Sequence, residues 1–172
     1  MSLQKELFKD YSKPHTAWVA KKIGPNQEAF DELIELMLGD DIKVAQRAAW
    51  VFSHCLDEYP WLIEKHLEIL INNLATTSNV AVKRNTVRIL QFVDIPEELL
   101  GITADICFSI LNSSKETIAV KAHSMIILFN IVKKYPEMKE ELKVSIEEQL
   151  PFASAGIKNR GQKILKAIAK LD

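Results

Sequence analysis

The stretch Val44-Ala45-Gln46-Arg47-Ala48-Ala49-Trp50-Val51-Phe52 decides the fold, because its apolar grid returns three more times. The later copies occupy residues 82–90, 120–128 and 157–165, at offsets of 38, 38 and 37 residues. The first place of each copy is Val44, Val82, Val120 or Ile157. The fifth is slim (Ala48, Thr86, Ser124, Gly161), the eighth is Val51, Ile89, Ile127 or Ile164, and the ninth is Phe52, Leu90, Leu128 or Leu165. Places one, five, eight and nine lie on one face of a helix. Self-similarity at a fixed period of this size marks an array of helical repeats. One pair of helices cannot bury its apolar face alone, so neighbouring pairs stack.

Working outward from these inner helices, the spacing predicts an amphipathic opening helix over 3–11 and a second helix over 15–23. Outer and inner helices then alternate: 27–38 with 42–57, 60–74 with 79–93, 96–112 with 115–134, and 137–150 with 156–171. Gly39 is expected to close the first outer helix in a left-handed conformation, and Asp40 or Asp41 to cap the next. Ser113 and Glu116 stand at capping-box spacing. Pro60, Pro96 and Pro136 keep the same beat, each at the start of an outer helix, where the missing N–H costs nothing. The whole chain, 1–172, reads as one domain: a cap and half repeat over 1–24, then repeats over 27–59, 60–95, 96–135 and 136–172.

Composition excludes several alternatives. The chain is 48% hydrophobic and 26% charged, the balance of an ordinary soluble protein. No apolar run approaches the roughly 20 residues of a membrane span, and the start lacks a secretory layout. Cys55 and Cys107 have no metal-ligand spacing, so a reducing, cytoplasmic compartment is expected. There is no Gly-rich phosphate loop, no G-x-S-x-G, no H-E-x-x-H and no C-x-x-C. No catalytic residue, metal or cofactor is expected, and the chain is read as a monomer.

The inner-helix grid resembles the HEAT repeat, whose second helix carries a Val-Arg pair followed by small residues. Val82-Lys83, Val120-Lys121 and Ile157-Lys158 match that pair with lysine for arginine, and Ala48-Ala49 matches the small-residue step. Ala45 departs from the basic column in the first copy. The resemblance implies an all-α, armadillo-type architecture: a right-handed α-α superhelix, or solenoid, of about four helix pairs plus N-terminal capping helices. It also implies that the second helices line a concave surface that grips proteins or, in a minority, nucleic acid.

With the grid facing the core, the third, fourth and seventh places of each inner helix point to its flank or away from the core. The third gives Gln46, Arg84, Ala122 and Asn159. The fourth gives Arg47, Asn85, His123 and Arg160, and the seventh gives Trp50, Arg88, Ile126 and Lys163. None is acidic. Over the inner segments (12–23, 41–58, 79–94, 115–134, 156–172) there are 17 Lys and Arg against 6 Asp and Glu. Over the outer segments (25–40, 59–78, 95–114, 135–155) there are 3 against 15. A net charge of −1 therefore conceals a basic inner layer and an acidic outer one. Such a surface steers acidic partners. The plainer reading is that Lys83, Lys121 and Lys158 brace neighbouring helices and that the last lysines keep an end cap polar.

Arg47, Trp50, Arg84, Arg88, His123, Arg160 and Lys163 are the candidate contact residues, Trp50 beside Arg47 and Arg84 foremost, because exposed Trp with Arg is the composition of an interface hot spot. The alternative for Trp50 is packing against the preceding helix, and Trp18 and Trp61 are assigned to the core. These residues point to a non-catalytic scaffold that binds a protein partner. Nucleic-acid binding is the alternative. A relative of the alkyl-base DNA glycosylases, which hold a lesion in a basic, Trp-lined concavity, is a more distant one.

Overall fold

A computed structural model describes residues 2–171, and every one of its regular elements is helical. The helices are α1 Leu3–Leu7, α2 Lys13–Ile23, α3 Gln27–Leu38, α4 Ile42–Glu58, α5 Leu67–Thr76, α6 Val80–Leu90, α7 Glu97–Asn112, α8 Ile118–Lys134, α9 Lys139–Gln149 and α10 Ala155–Ile168. Short 3-10 turns run over Pro60–His66, Pro136–Met138 and Leu150–Phe152. The chain gathers into two compact units, the first ending at Ile89 and the second beginning at Leu90. In the first, α4 is the hub: α2, α3 and the Pro60–His66 turn all pack on it. In the second, α8 has that place, with α7, α9 and α10 against it.

The repeated grid is what these helices bury. Val44, Val82, Val120 and Ile157 are at most 4% exposed, and Val51, Ile89, Ile127 and Ile164 at most 6%. Phe52, Leu90 and Leu128 are equally buried, whereas Leu165, near the chain end, stays half-buried. The slim fifth place is buried throughout. Where it is polar, the hydroxyl turns back onto its own helix. Thr86 Oγ1 donates to the Val82 carbonyl at 2.8 Å and Ser124 Oγ to the Val120 carbonyl at 2.9 Å, so no polar atom goes unpaired there.

Three residues ahead of each first place stands an N-cap: Asp41, Asn79, Thr117 and Ser154. Asp41 accepts from the amides of Lys43 and Val44, and Asn79 from those of Ala81 and Val82. Asn79 also donates from Nδ2 to the Ile42 carbonyl at 3.1 Å, tying the start of α6 to the start of α4. Thr117 and Ser154 hold the same position without a side-chain cap bond, so side-chain capping fixes the start of α4 and α6, and with it the phase of their grid.

Several local expectations are corrected. Gly39 is extended (φ −73°, ψ 168°), because the link runs straight into the Asp41 cap and leaves no room for a left-handed turn. Gly24 carries the positive φ instead, 55°. Ser113 and Glu116 form no capping box: α8 starts at Ile118, and Ser113 Oγ accepts from the Lys115 amide in the loop before it. The element expected over 60–74 is a 3-10 turn followed by α5. Its tighter winding turns consecutive Leu62 and Ile63 inward. That leaves Trp61 51% exposed, edge-on to Tyr59, rather than in the core. Trp18 is 48% exposed for a related reason. Thr16, Val19, Ala20 and Ile23 make the buried face of α2, and Trp18 falls to the side, stacked on His15 with the Lys22 ammonium over its ring.

Gly161 shows why the fifth place is slim. A Cβ there would meet Ile146 Cγ2 at 2.9 Å and Leu150 Cδ2 at 3.1 Å, so α10 lies too close to α9 for a side chain. Gly161→Leu is expected to lower the unfolding free energy by about 1–3 kcal/mol through overpacking, measured by urea denaturation.

Asp31 of α3 holds the Pro60–His66 turn. It accepts from Lys65 Nζ, from His66 Nε2 at 2.6 Å and from Gln27 Nε2 at 3.0 Å. The Lys65 ammonium foremost, with Gln27 and His66, holds its carboxyl well below the ordinary 3.8. A carboxylate with a lowered folded pKa stabilises the fold above its unfolded pKa, and the contribution fades as pH falls toward the folded value. Asp31→Asn is therefore expected to destabilise the protein near neutral pH. The gap to the wild type should narrow once the pH drops below about 4 in a series of denaturation curves.

Candidate functional site

Three inner helices of the first unit line an open cavity of about 280 Å³. From α2 come Lys13 and Thr16, from α4 Trp50, Ser53 and His54, and from α6 Arg84 and Asn85. The repeat period puts them together. Trp50 and Arg88 hold the seventh place of successive copies, and Arg47 and Asn85 hold the fourth, so α4 and α6 present equivalent flanks. Lys13 and Thr16 sit one turn apart at the start of α2, the half repeat before them.

No carboxylate lines this cavity. Thr16 Oγ1 donates to the Ser12 carbonyl and Ser53 Oγ to the Trp50 carbonyl, both at 3.1 Å. Asn85 Nδ2 donates to the Ala81 carbonyl at 2.8 Å, which lets the amide lie buried. The donors left for a visitor are the Lys13 ammonium, the Arg84 guanidinium and the His54 ring. The Trp50 indole N–H is shielded from water and finds no acceptor among the described residues. An indole donor in that state is costly, by about 1–3 kcal/mol.

Arg47 sits beside the cavity in a different role. Its guanidinium lies over the Tyr11 ring at 3.6 Å and over the Trp50 ring at 5.1 Å, so the two aromatics and the cation make one shelf. Each such contact is worth roughly 0.5–1 kcal/mol at an exposed site. Arg88 is engaged otherwise. Its Nη2 donates to both carboxylate oxygens of Asp57 at 2.9 Å, which braces α6 against the end of α4.

The remaining candidates lie in the second unit. His123 on α8 and Arg160 on α10 are half-buried, and Lys163 on α10 is exposed. Lys121, in the repeated basic column, donates from Nζ to Gln149 Oε1 at 2.9 Å. Its loss of hydration lowers its pKa, so it acts as a brace between α8 and α9. A second cavity, about 380 Å³, forms where residues 91–95 fold against α8, with Leu90, Ile95, Ile127 and Ile131 in its wall. Among the described residues no three His, Cys, Asp or Glu side chains are grouped to hold a metal. No helix is long and apolar enough to cross a membrane among the described residues.

Arg47, Trp50 and Arg84 are thus gathered on neighbouring helices, and Arg88 is drawn into a bridge. Tyr11 and Lys13 escaped the sequence reading. Tyr11 lies in the link between α1 and α2, outside any repeated place. Lys13 was in sight as part of the basic inner layer, but only the packing of α2 on α4 sets it near Trp50.

Comparison with known proteins agrees with this architecture. A crystal structure of an engineered protein superposes with a TM-score of 0.63 at 18% identity, covering 98% of this chain and 78% of that one, which speaks to the fold alone. No curated protein matches the sequence. The family model for a HEAT repeat domain matches residues 3–168. The chain, with its all-α repeats, its slim fifth place and its recurring caps, belongs to the HEAT repeat family.

Proposed function

We propose that this chain is a non-catalytic scaffold that binds a protein partner on the flank of its inner helices, centred on Trp50, Arg47 and Arg84. One observation carries the reading. Arg47 is held over the Tyr11 and Trp50 rings beside a cavity edged by Lys13 and Arg84, an aromatic-and-cationic surface. Rings and guanidinium together offer contact area that loses little side-chain entropy on binding, the composition of interface hot spots. The membership of the HEAT repeat family suggests the same general role, a repeat scaffold for protein interactions. In the second unit α8 and α10 contribute His123, Arg160 and Lys163 to partner binding, while Arg88 and Lys121 hold helices together.

A cytoplasmic setting fits the two thiols. Cys55 and Cys107 are free and buried, and the loss of water around the thiolate pushes both up to about 12, so neither is poised for disulfide exchange.

The test is affinity capture from the cells that make the protein. Proteins retained by the wild type are expected to be lost by the double variant Trp50→Ala, Arg84→Glu and kept by Glu64→Lys on the exposed outer turn. A double variant that retains every captured protein contradicts the proposal.

A further inference from the structure

The cavity between α2, α4 and α6 points to a partner of defined chemistry. We propose that it is a carboxylate subsite, which seats one Asp or Glu side chain of an acidic peptide while the neighbouring peptide residue lies on the Arg47 shelf. This inference rests on the proposed docking face and names what that face grips.

The lining of the cavity carries it: three donors and no carboxylate. Several cations of the chain meet an acid or an amide: Arg88 with Asp57, Lys65 with Asp31, Lys134 with Asp94, Lys121 with Gln149. Lys13, His54 and Arg84 converge on one cavity, and none has a hydrogen-bonding or ion-pair partner among the described residues. Lys13 and Arg84 carry the same charge and repel until an anion joins them. The Trp50 indole, whose N–H is shielded from water, forms part of the same wall and reports on what enters it.

The number of donors favours a carboxylate. Thr16 and Ser53 have already given their hydroxyl protons to backbone carbonyls and turn lone pairs, not protons, toward a visitor. Two cations and a ring nitrogen suffice for the two oxygens of a carboxylate. A phosphate presents more oxygens, and they would meet the Thr16 and Ser53 lone pairs. A nucleic-acid backbone would need a continuous row of free cations, since its affinity grows with each phosphate neutralised. That row is interrupted at once, because the next cation along α6, Arg88, is taken by Asp57. Tyr11, exposed and flat beneath Arg47, suits a peptide lying alongside.

The experiment is a titration of the full chain, labelled with nitrogen-15, by a blocked tetraglutamate peptide, its tetraglutamine counterpart and a short oligothymidylate. Tetraglutamate is expected to move the Trp50 indole and Arg84 Nε–H signals saturably, and tetraglutamine to leave them in place. Arg84→Gln and Lys13→Gln, both at exposed positions, should each weaken tetraglutamate binding about tenfold, the worth of one charge-assisted hydrogen bond. Their unchanged amide spectra would show that the fold is kept. Equal responses to the two peptides overturn the subsite. So does binding that survives both substitutions, or an oligothymidylate that binds more tightly than tetraglutamate. If the subsite fails in this way while captured proteins still depend on Trp50, the docking face stands and its carboxylate chemistry is wrong. If captured proteins ignore the double variant, the face itself is wrong.

Discussion

The spacing between neighbouring helices depends on four slim positions. At Ala48, Thr86, Ser124 and Gly161 the inner helices present little or no side chain, and all four are buried. Gly161 gives the limit, with Ile146 already at 2.9 Å from where a Cβ would be. Close approach then lets the aliphatic residues at the first, eighth and ninth places interlock with their neighbours, and dense packing of this kind is sensitive to a single methylene. The caps three residues upstream complete the device. Asp41, Asn79, Thr117 and Ser154 start each inner helix at one register, so slim and bulky places recur in phase.

A helix whose one face is fixed by such a grid has its other places free for different work, and this chain uses them in two ways. Some become struts between helices. Arg88 with Asp57 joins α6 to α4, and Lys121 with Gln149 joins α8 to α9. Exposed pairs of this sort contribute little stability, typically 0–1 kcal/mol, so their value is in orientation. Others have no partner among the described residues, and three of them, Lys13, His54 and Arg84, line one cavity, with Arg47 stacked on Tyr11 and Trp50 beside it. The contrast between struts and unpartnered donors is the physical basis of the functional reading.

Much of the fold was legible from the sequence because a period of about 38 residues is a strong signal, and because a grid of Val, a slim residue and two aliphatics has few other homes. Gly39, Ser113 and Trp61 mark where that legibility ended. Each depends on where a helix starts or how tightly its first turn winds, which neighbouring contacts decide and the sequence pattern does not. The candidate site was half visible. Trp50, Arg47 and Arg84 follow from their places in the repeat, whereas the Arg88 bridge to Asp57 and the seat of Arg47 on Tyr11 are tertiary facts. Tyr11 and Asp57 stand 36 and 31 residues from the arginines they meet, outside any local window.

Native-state amide hydrogen exchange tests the central claim most directly, since protection follows burial and interlocking rather than helical content alone. The grid segments 44–52 of α4 and 120–128 of α8 are predicted to exchange most slowly within their own units, outlasting the Pro60–His66 and Leu150–Phe152 turns. Exchange in those segments as fast as in the turns would contradict the account. It would mean that the repeated grid does not hold the hairpins together, and that the cavity beside Trp50 has no rigid frame.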